Sequence, residues 1–386
     1  MNTDPSEARQ NQDKLDRYLK YLEYTPDNLN LIYDSIILAV DLSELDTARG
    51  LVQKGLALAP ENANLHAHKG FLHLAENKLE LAEEAFEQSI ELGINNSPTL
   101  YNLAYTQFLR GKYQKAIDTL TKIEIPDSFG SEINILFSRC AQNLDREPEA
   151  IERLKKVIQD DPRNYDAMGL LSLIYADEEK EDEARNLAKE CLDSSPDNFN
   201  ALLARATLDM ASQRYENAYS DLQKATTILP ESGRAWSSLG LIDFHNFRFE
   251  EAESSLLKAV AYIPDHIGSW HILGWIYLMK DNITKAQEAF ESAYAIDPTF
   301  GESHGALASI YALQGEKQKA EHHIRLAEKL SPDGANQIYA NMVLLSNEGK
   351  TNEAASLFEE VKKRHNDKLG TSLETLIQLR LAELST

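Results

Sequence analysis

Residues 268–298 read GSWHILGWIYLMKDNITKAQEAFESAYAIDP. This stretch indicates the fold, because its small residues and its final proline recur at fixed spacing along the chain. Its central alanine belongs to a series that returns every 34 residues without a change of phase: Ala48, Ala82, Ala116, Ala150, Ala184, Ala218, Ala252, Ala286, Ala320 and Ala354. A constant period of this length is typical of a repeat made of two helices and a tight turn. The small side chain indicates close approach of two helices, since a larger group would overpack the contact by about 1–3 kcal/mol.

Proline and glycine mark the borders of each repeat. Proline cannot continue a helix and keeps the preceding residue out of the helical conformation. It ends the linker at one phase of seven repeats, namely Pro60, Pro162, Pro196, Pro230, Pro264, Pro298 and Pro332. Gly111, Gly315 and Gly349 fall in the turn between the two helices, where a positive φ is easily adopted. We therefore divide the chain into an N-terminal segment and capping helix at 1–28, ten repeats at 29–368 and a C-terminal capping helix at 369–386.

The charge balance narrows the classes of partner. The formal net charge is −23 and the pI is about 4.9. Binding to a phosphate backbone needs Lys and Arg, so we expect no nucleic-acid partner. We expect no membrane insertion either, because no stretch reaches the ~20 apolar residues that span a bilayer. The N-terminal residues lack the apolar core of a signal peptide, and this favours a cytoplasmic protein.

Catalytic and metal-binding motifs are missing from the sequence. We find no glycine-rich phosphate loop, no HExxH, no CxxC and no G-x-S-x-G motif, so we predict that the chain is not an enzyme and carries no cofactor and no metal. His66, His68 and His73 cluster on one helix, but the repeat phase favours packing between helices over metal binding. Cys140 and Cys191 are predicted to be buried free thiols.

The chain resembles the tetratricopeptide repeat family. Residues 267–300 match the family pattern position by position through Trp270, Leu273, Gly274, Tyr277, Ala286, Phe290, Ala293 and Pro298. The resemblance implies an all-α fold, a right-handed α-solenoid (superhelix) of about ten 34-residue helix-turn-helix repeats with terminal capping helices. It also implies a scaffold that binds other proteins, with the first helix of each repeat (helix A) lining a concave groove.

Two groups of groove positions carry aromatic and other large side chains. The first group lies in repeats two to four and comprises Phe71, Tyr101, Asn102, Tyr105, Phe108 and Arg139. The second lies in repeats seven and eight and comprises Phe244, His271, Trp275, Leu278 and Met279. Aromatic residues and Met dominate the hot spots of protein interfaces. We expect Trp275 to be the main anchor, because Trp270 already fills the packing position of the same repeat; mutual packing inside the superhelix is the alternative.

The function favoured by the sequence is a non-enzymatic scaffold or chaperone-like adaptor. It would hold a peptide segment or subunit of a partner protein with hydrophobic and basic anchors in its groove. Two alternatives stay open. The leucine-rich C-terminal helix, with Leu373, Leu376, Ile377, Leu381 and Leu384 on one face, would make a structural homo-oligomer or homodimer. The chain would otherwise be a regulatory subunit of a separately encoded enzyme.

Overall fold

The computed structural model describes residues 5–124, 130–332 and 335–364. Within these ranges the chain forms helices and no strand, so the predicted all-α class is confirmed. It divides into two compact units, Met1–Ser194 and Ser195–Thr386, which we call unit 1 and unit 2. The limits of the three sequence segments stay predictions, and the predicted capping helix at 369–386 lies outside the described residues.

Unit 1 consists of α1 (Pro5–Tyr24), α2 (Leu29–Asp41), α3 (Leu45–Leu58), α4 (Ala63–Ala75), α5 (Leu79–Glu91), α6 (Ser97–Leu109), α7 (Tyr113–Leu120), α8 (Gly130–Gln142), α9 (Glu147–Asp160), α10 (Tyr165–Asp177) and α11 (Glu181–Ser194). Unit 2 consists of α12 (Phe199–Ala211), α13 (Tyr215–Ile228), α14 (Gly233–His245), α15 (Phe249–Tyr262), α16 (Ile267–Met279), α17 (Ile283–Ile296), α18 (Gly301–Leu313), α19 (Lys317–Leu330), α20 (Ala335–Asn347) and α21 (Thr351–Arg364). From α2 onward, even-numbered helices are helices A and odd-numbered helices are helices B of the predicted repeats.

Each helix pair packs through the periodic alanine. Nine of the ten alanines have no exposed surface, and Ala354 is 4% exposed. The helix-A side of the contact is equally crowded in two repeats of unit 2. A Cβ atom on Gly240 would lie 2.6 Å from Leu256 Cγ, and one on Gly274 would lie 2.3 Å from Phe290 Cε1. The small residues are therefore required by the distance between the two helices, as the period predicts.

The helix ends follow the same period. Asn28, Asn62, Asn96, Asn164 and Asn198 each precede a helix A, and their side-chain oxygens accept hydrogen bonds from backbone N–H groups in the first turn at 2.9–3.2 Å. Such caps satisfy donors that have no partner within the helix. They fix where each helix A begins.

The turn between helices A and B has one left-handed residue in every repeat. The glycines predicted there have φ angles of 70°, 77° and 78°. Seven residues other than glycine take the same position with φ near 55–60°, namely Ser43, Asn77, Asp145, Glu179, Gln213, Phe247 and Asp281. Residues with a Cβ atom pay a steric cost in this conformation. The turn geometry is thus imposed by the helix pair and is not chosen by glycine.

A ring N–H group ties helix A to the linker before it. Trp236 Nε1 donates to the carbonyl of Pro230 at 2.7 Å, and Trp270 Nε1 donates to that of Pro264 at 2.8 Å. His66 Nε2 lies 2.8 Å from the carbonyl oxygen of Pro60. Trp and His therefore exchange at this phase because both carry a ring N–H donor. This contact supports the structural role predicted for His66.

The N-terminal helix packs on unit 1, and the two cysteines match their predicted role. Leu15 and Leu22 of α1 are buried against Ile32 of α2, so α1 covers the N-terminal end of unit 1. Cys140 and Cys191 are fully buried and free. Burial raises the pKa of the two thiols to about 12 and about 11, respectively, which keeps them protonated and unreactive.

Enlarging a periodic alanine should destabilise unit 2. Ala252→Leu should lower the free energy of unfolding by about 1–3 kcal/mol, because the added groups enter a filled contact. The matched control is Ala261→Leu on the same helix, where the residue is exposed. Urea denaturation followed by circular dichroism measures both, and equal stability of the two variants would contradict the packing role.

The left-handed position should respond oppositely to glycine and to larger residues. Gln213 is exposed and has φ 58°, so Gln213→Gly should raise the stability by about 0.5–1 kcal/mol by removing the steric cost. Gly315 has φ 77°, and Gly315→Gln should lower the stability by a similar amount. Thermal melts of the two variants check the pair; a shift of both in the same direction would show that the turn does not control the stability.

Candidate functional site

The first predicted group forms a continuous aromatic surface in unit 1. Tyr101, Tyr105 and Phe108 lie at i, i+4 and i+7 of α6 and therefore share one face of the helix. The rings of Tyr101 and Tyr105 are parallel within 1°, with centroids 6.5 Å apart. Those of Tyr105 and Phe108 are inclined by 21°, with centroids 6.4 Å apart. We call this set, together with Phe71 of α4 and Arg139 of α8, the aromatic face.

The aromatic face is accessible. Tyr105 is 38% exposed, and the other four members are partly buried. Phe71 rests on the buried core of its own repeat, next to Phe86. Asn102 is partly buried beside the face on α6. Because these side chains pack against buried residues on one side and are partly exposed on the other, they offer a preformed surface to a ligand.

Charged groups surround the rings of this face. Burial and the nearby Glu132 carboxylate raise the pKa of Tyr101, and the Arg139 guanidinium acts against this rise. Glu132 and Asp177 are exposed on α8 and α10, and Gln142 Nε2 donates to Asp177 Oδ2 at 3.2 Å. The face therefore combines apolar rings with a cation, Arg139, and a nearby carboxylate, Glu132.

The second predicted group is placed differently. Phe244, Trp275 and Leu278 are 7%, 6% and 1% exposed, so they are buried within unit 2. His271 and Met279 are partly buried. The Trp275 ring meets Phe290 edge-on, with centroids 6.3 Å apart, and meets Tyr339 of α20 at 5.4 Å. Packing therefore accounts for Trp275 in this structure, and a binding role for this group stays a prediction that needs α20 to move.

Small residues on α18 allow α20 to cover this group. A Cβ atom on Gly305 would lie 2.8 Å from both Asn336 Cβ and Gln337 N of α20. Ser309 Oγ donates to the carbonyl of Asn336 at 3.0 Å. The sequence signal was present, because Gly305 and Ser309 stand where other repeats carry large groove residues. Small residues at those positions fit an empty groove equally well, so the sequence alone does not predict that α20 packs there.

His271 lies in an apolar setting between two rings. Its centroid is 5.7 Å from those of Phe290 and Phe300, and its Nε2 lies 3.0 Å from Ser303 Oγ. Burial lowers the pKa of His271 to about 4. The imidazole is therefore neutral near pH 7 and acts as a packing and hydrogen-bonding group.

No metal centre was found where the structure describes the chain: within those ranges, no three His, Cys, Asp or Glu side chains converge in a way that could hold an ion. The same ranges contain no helix with the length and apolar character to cross a bilayer. His68 packs against Tyr33, with ring centroids 5.2 Å apart, and burial lowers the pKa of His68.

Comparison with known families decides the family of the chain. Models described as tetratricopeptide repeat match residues 85–118, 145–206 and 267–300. The chain is a tetratricopeptide repeat protein. The third match contains the stretch 268–298. Tetratricopeptide repeats are a scaffold for protein–protein interaction, and this coarse function applies to the chain.

One solved structure agrees in fold over nearly the whole chain, and two others are similar with lower TM-scores. A monomeric mutant of IFIT1, solved with Gppp-AAAA, is 15% identical with a TM-score of 0.52, over 94% of this chain and 96% of that chain. The hetero-tetramer Cut9–Hcn1 of the APC/C gives 13% identity and a TM-score of 0.48, over 97% and 88%. PilF of Pseudomonas aeruginosa gives 17% and 0.48, over 55% and 96%. No curated protein matches the sequence.

The His271 environment predicts acid sensitivity of this tetratricopeptide repeat protein. The folded pKa of about 4 lies below the ordinary value of 6.5, so the unfolded chain binds the proton first as the pH falls. The stability contributed by neutral His271 is full above about pH 6.5 and is lost toward about pH 4. His271→Gln keeps a donor for Ser303 but cannot titrate. The free energy of unfolding, measured by urea denaturation at about pH 7 and about pH 5, should fall by about 1–2 kcal/mol less in the variant; an identical fall would remove His271 as a cause.

Proposed function

We propose that this chain is a non-enzymatic scaffold that binds a segment of a partner protein on the aromatic face of unit 1. The observation that carries the proposal is the row of nearly parallel, partly exposed rings of Tyr101, Tyr105 and Phe108. Rings bury large areas with few rotatable bonds, which is why they dominate binding hot spots. Membership of the family supports the general function of protein binding, and the exposed rings support the aromatic face as the binding surface.

The negative charge near the aromatic face supports a partner segment that carries basic residues. The Glu132 carboxylate lies near Tyr101, and the whole chain carries a net charge of −23. Complementary charge steers association and fixes orientation more than it adds affinity. We therefore propose a partner segment with apolar anchors for the rings and basic residues toward the rim. The cytoplasmic location and the lack of a nucleic-acid partner stay predictions.

The test uses a defined peptide library. Peptides are selected by phage display against the immobilised full-length chain, and the enriched peptides are titrated by calorimetry. Tyr105→Ala should weaken their binding by about 2 kcal/mol, because it removes the central ring of the face. The matched control is Tyr262→Ala on α15, which removes a somewhat more exposed ring (47%) from unit 2.

Two outcomes would contradict the proposal. Equal affinity of the Tyr105→Ala variant and the wild-type chain would place the peptides elsewhere. Selected peptides that are acidic and lack apolar side chains would contradict the proposed chemistry. Circular dichroism of both variants checks that the helices are kept.

A further inference from the structure

Helix α20 occupies a surface that the sequence assigns to a binding partner. Tyr339 of α20 is fully buried, and its ring meets the ring of Trp275 edge-on at a centroid distance of 5.4 Å. Met342 and Val343 follow at i+3 and i+4 and are 0% and 2% exposed. The buried residues of α20 thus include an aromatic residue followed at i+3 and i+4 by two apolar residues. This is the pattern by which amphipathic helices dock into grooves.

The receiving surface is shaped for a helix. Gly305 of α18 leaves no room for a Cβ atom beneath α20, since one would lie 2.8 Å from Asn336 Cβ. Trp275 of α16 contacts the same helix through Tyr339, and Ser309 of α18 does so through the carbonyl of Asn336. We call the surface made by Trp275, Gly305 and Ser309 the α18 trough. Close approach of α20 to the trough is specific, because one larger residue on α18 would prevent it.

The contact between α20 and the trough is polar for a buried surface. Asn336 Nδ2 donates to the backbone oxygen of Glu302 at 3.1 Å and to its carboxylate at 2.8 Å. Asn336 and Gln337 are only 4% and 2% exposed, yet Asn336 Oδ1 and Gln337 Oε1 accept no hydrogen bond from the described residues. A buried acceptor without a partner loses its hydrogen bonds to water and gains none from the protein, which costs free energy. This cost lowers the stability of the docked helix relative to an apolar contact of the same size.

We propose that α20 is a displaceable internal ligand of the α18 trough. When α20 leaves, Trp275 and the small residues of α18 become a second binding surface, separate from the aromatic face of unit 1. Its partner is an amphipathic helix of another protein, with an aromatic residue followed at i+3 and i+4 by apolar residues, as in Tyr339, Met342 and Val343. Binding is reduced by the fraction of molecules in which α20 stays docked.

A synthetic peptide of the α20 sequence tests the proposal. Fluorescently labelled peptide 335–347 is titrated against the full-length chain and against its Tyr339→Ala variant, with anisotropy as the readout. The variant should bind the peptide at least about tenfold more tightly, because its own α20 competes less for the trough. A peptide carrying Tyr339→Ala should bind neither chain. Adding Gly305→Leu to the Tyr339→Ala chain should abolish binding of the native peptide.

Hydrogen exchange of the wild-type chain provides a test that needs no variant. Amides of α20 should exchange at least about tenfold faster than those of α16, through an opening that leaves α16 protected. Equal protection of α20 and α16 would show that α20 opens only when the unit unfolds, and would overturn the proposal. Equal peptide affinity of the wild-type and Tyr339→Ala chains, with helicity retained, would overturn it as well. Neither result bears on the aromatic face, which the Tyr105→Ala titration tests alone.

Discussion

Close contact between the two helices of each repeat is the constraint on which the rest of the structure depends. The alanine of helix B has no exposed surface in nine repeats, and Gly274 of helix A leaves no room for a Cβ atom beside Phe290. This contact fixes the distance and the phase of the hairpin, and with them the left-handed turn residue. The face of helix A that points away from helix B is not needed for the contact. Its residues are therefore free to differ between repeats, and they carry the differences between the two units.

The same phase of the repeat leads to opposite outcomes in the two units. Tyr105 and Trp275 occupy equivalent positions of repeats three and eight, but Tyr105 is 38% exposed and Trp275 is 6% exposed. The difference arises from their neighbours. Gly305 in the next repeat allows α20 to approach, and Tyr339 then lies against the Trp275 ring. Exposure of a groove residue is thus a property of three successive repeats and not of its own helix.

This explains how far the sequence could predict the molecule. The period predicts the helix pairs, the buried alanines and the glycine turns, because each depends on contacts inside one hairpin. It also identifies the face of helix A to which Tyr101, Tyr105 and Trp275 belong. It could not predict that Gln213 or Phe247 takes a positive φ, since nothing but the geometry of the hairpin demands it. Nor could it predict the burial of Trp275, because periodicity gives the direction of a side chain and not the distance to the next helix.

The two units also differ in how the large rings on helix A are packed and how far they are exposed. In α6 the rings of Tyr101, Tyr105 and Phe108 follow one another along one face of the helix, with centroids 6.4–6.5 Å apart, and Tyr105 stays 38% exposed. Trp275 has His271 and Met279 one turn away on α16, and neither repeats this row of rings. Covering its large apolar surface therefore requires a second helix, and α20 supplies it at the expense of two buried acceptors. A ring that packs only along its own helix stays partly exposed and available to a ligand. A ring that another helix covers is available only when that helix leaves.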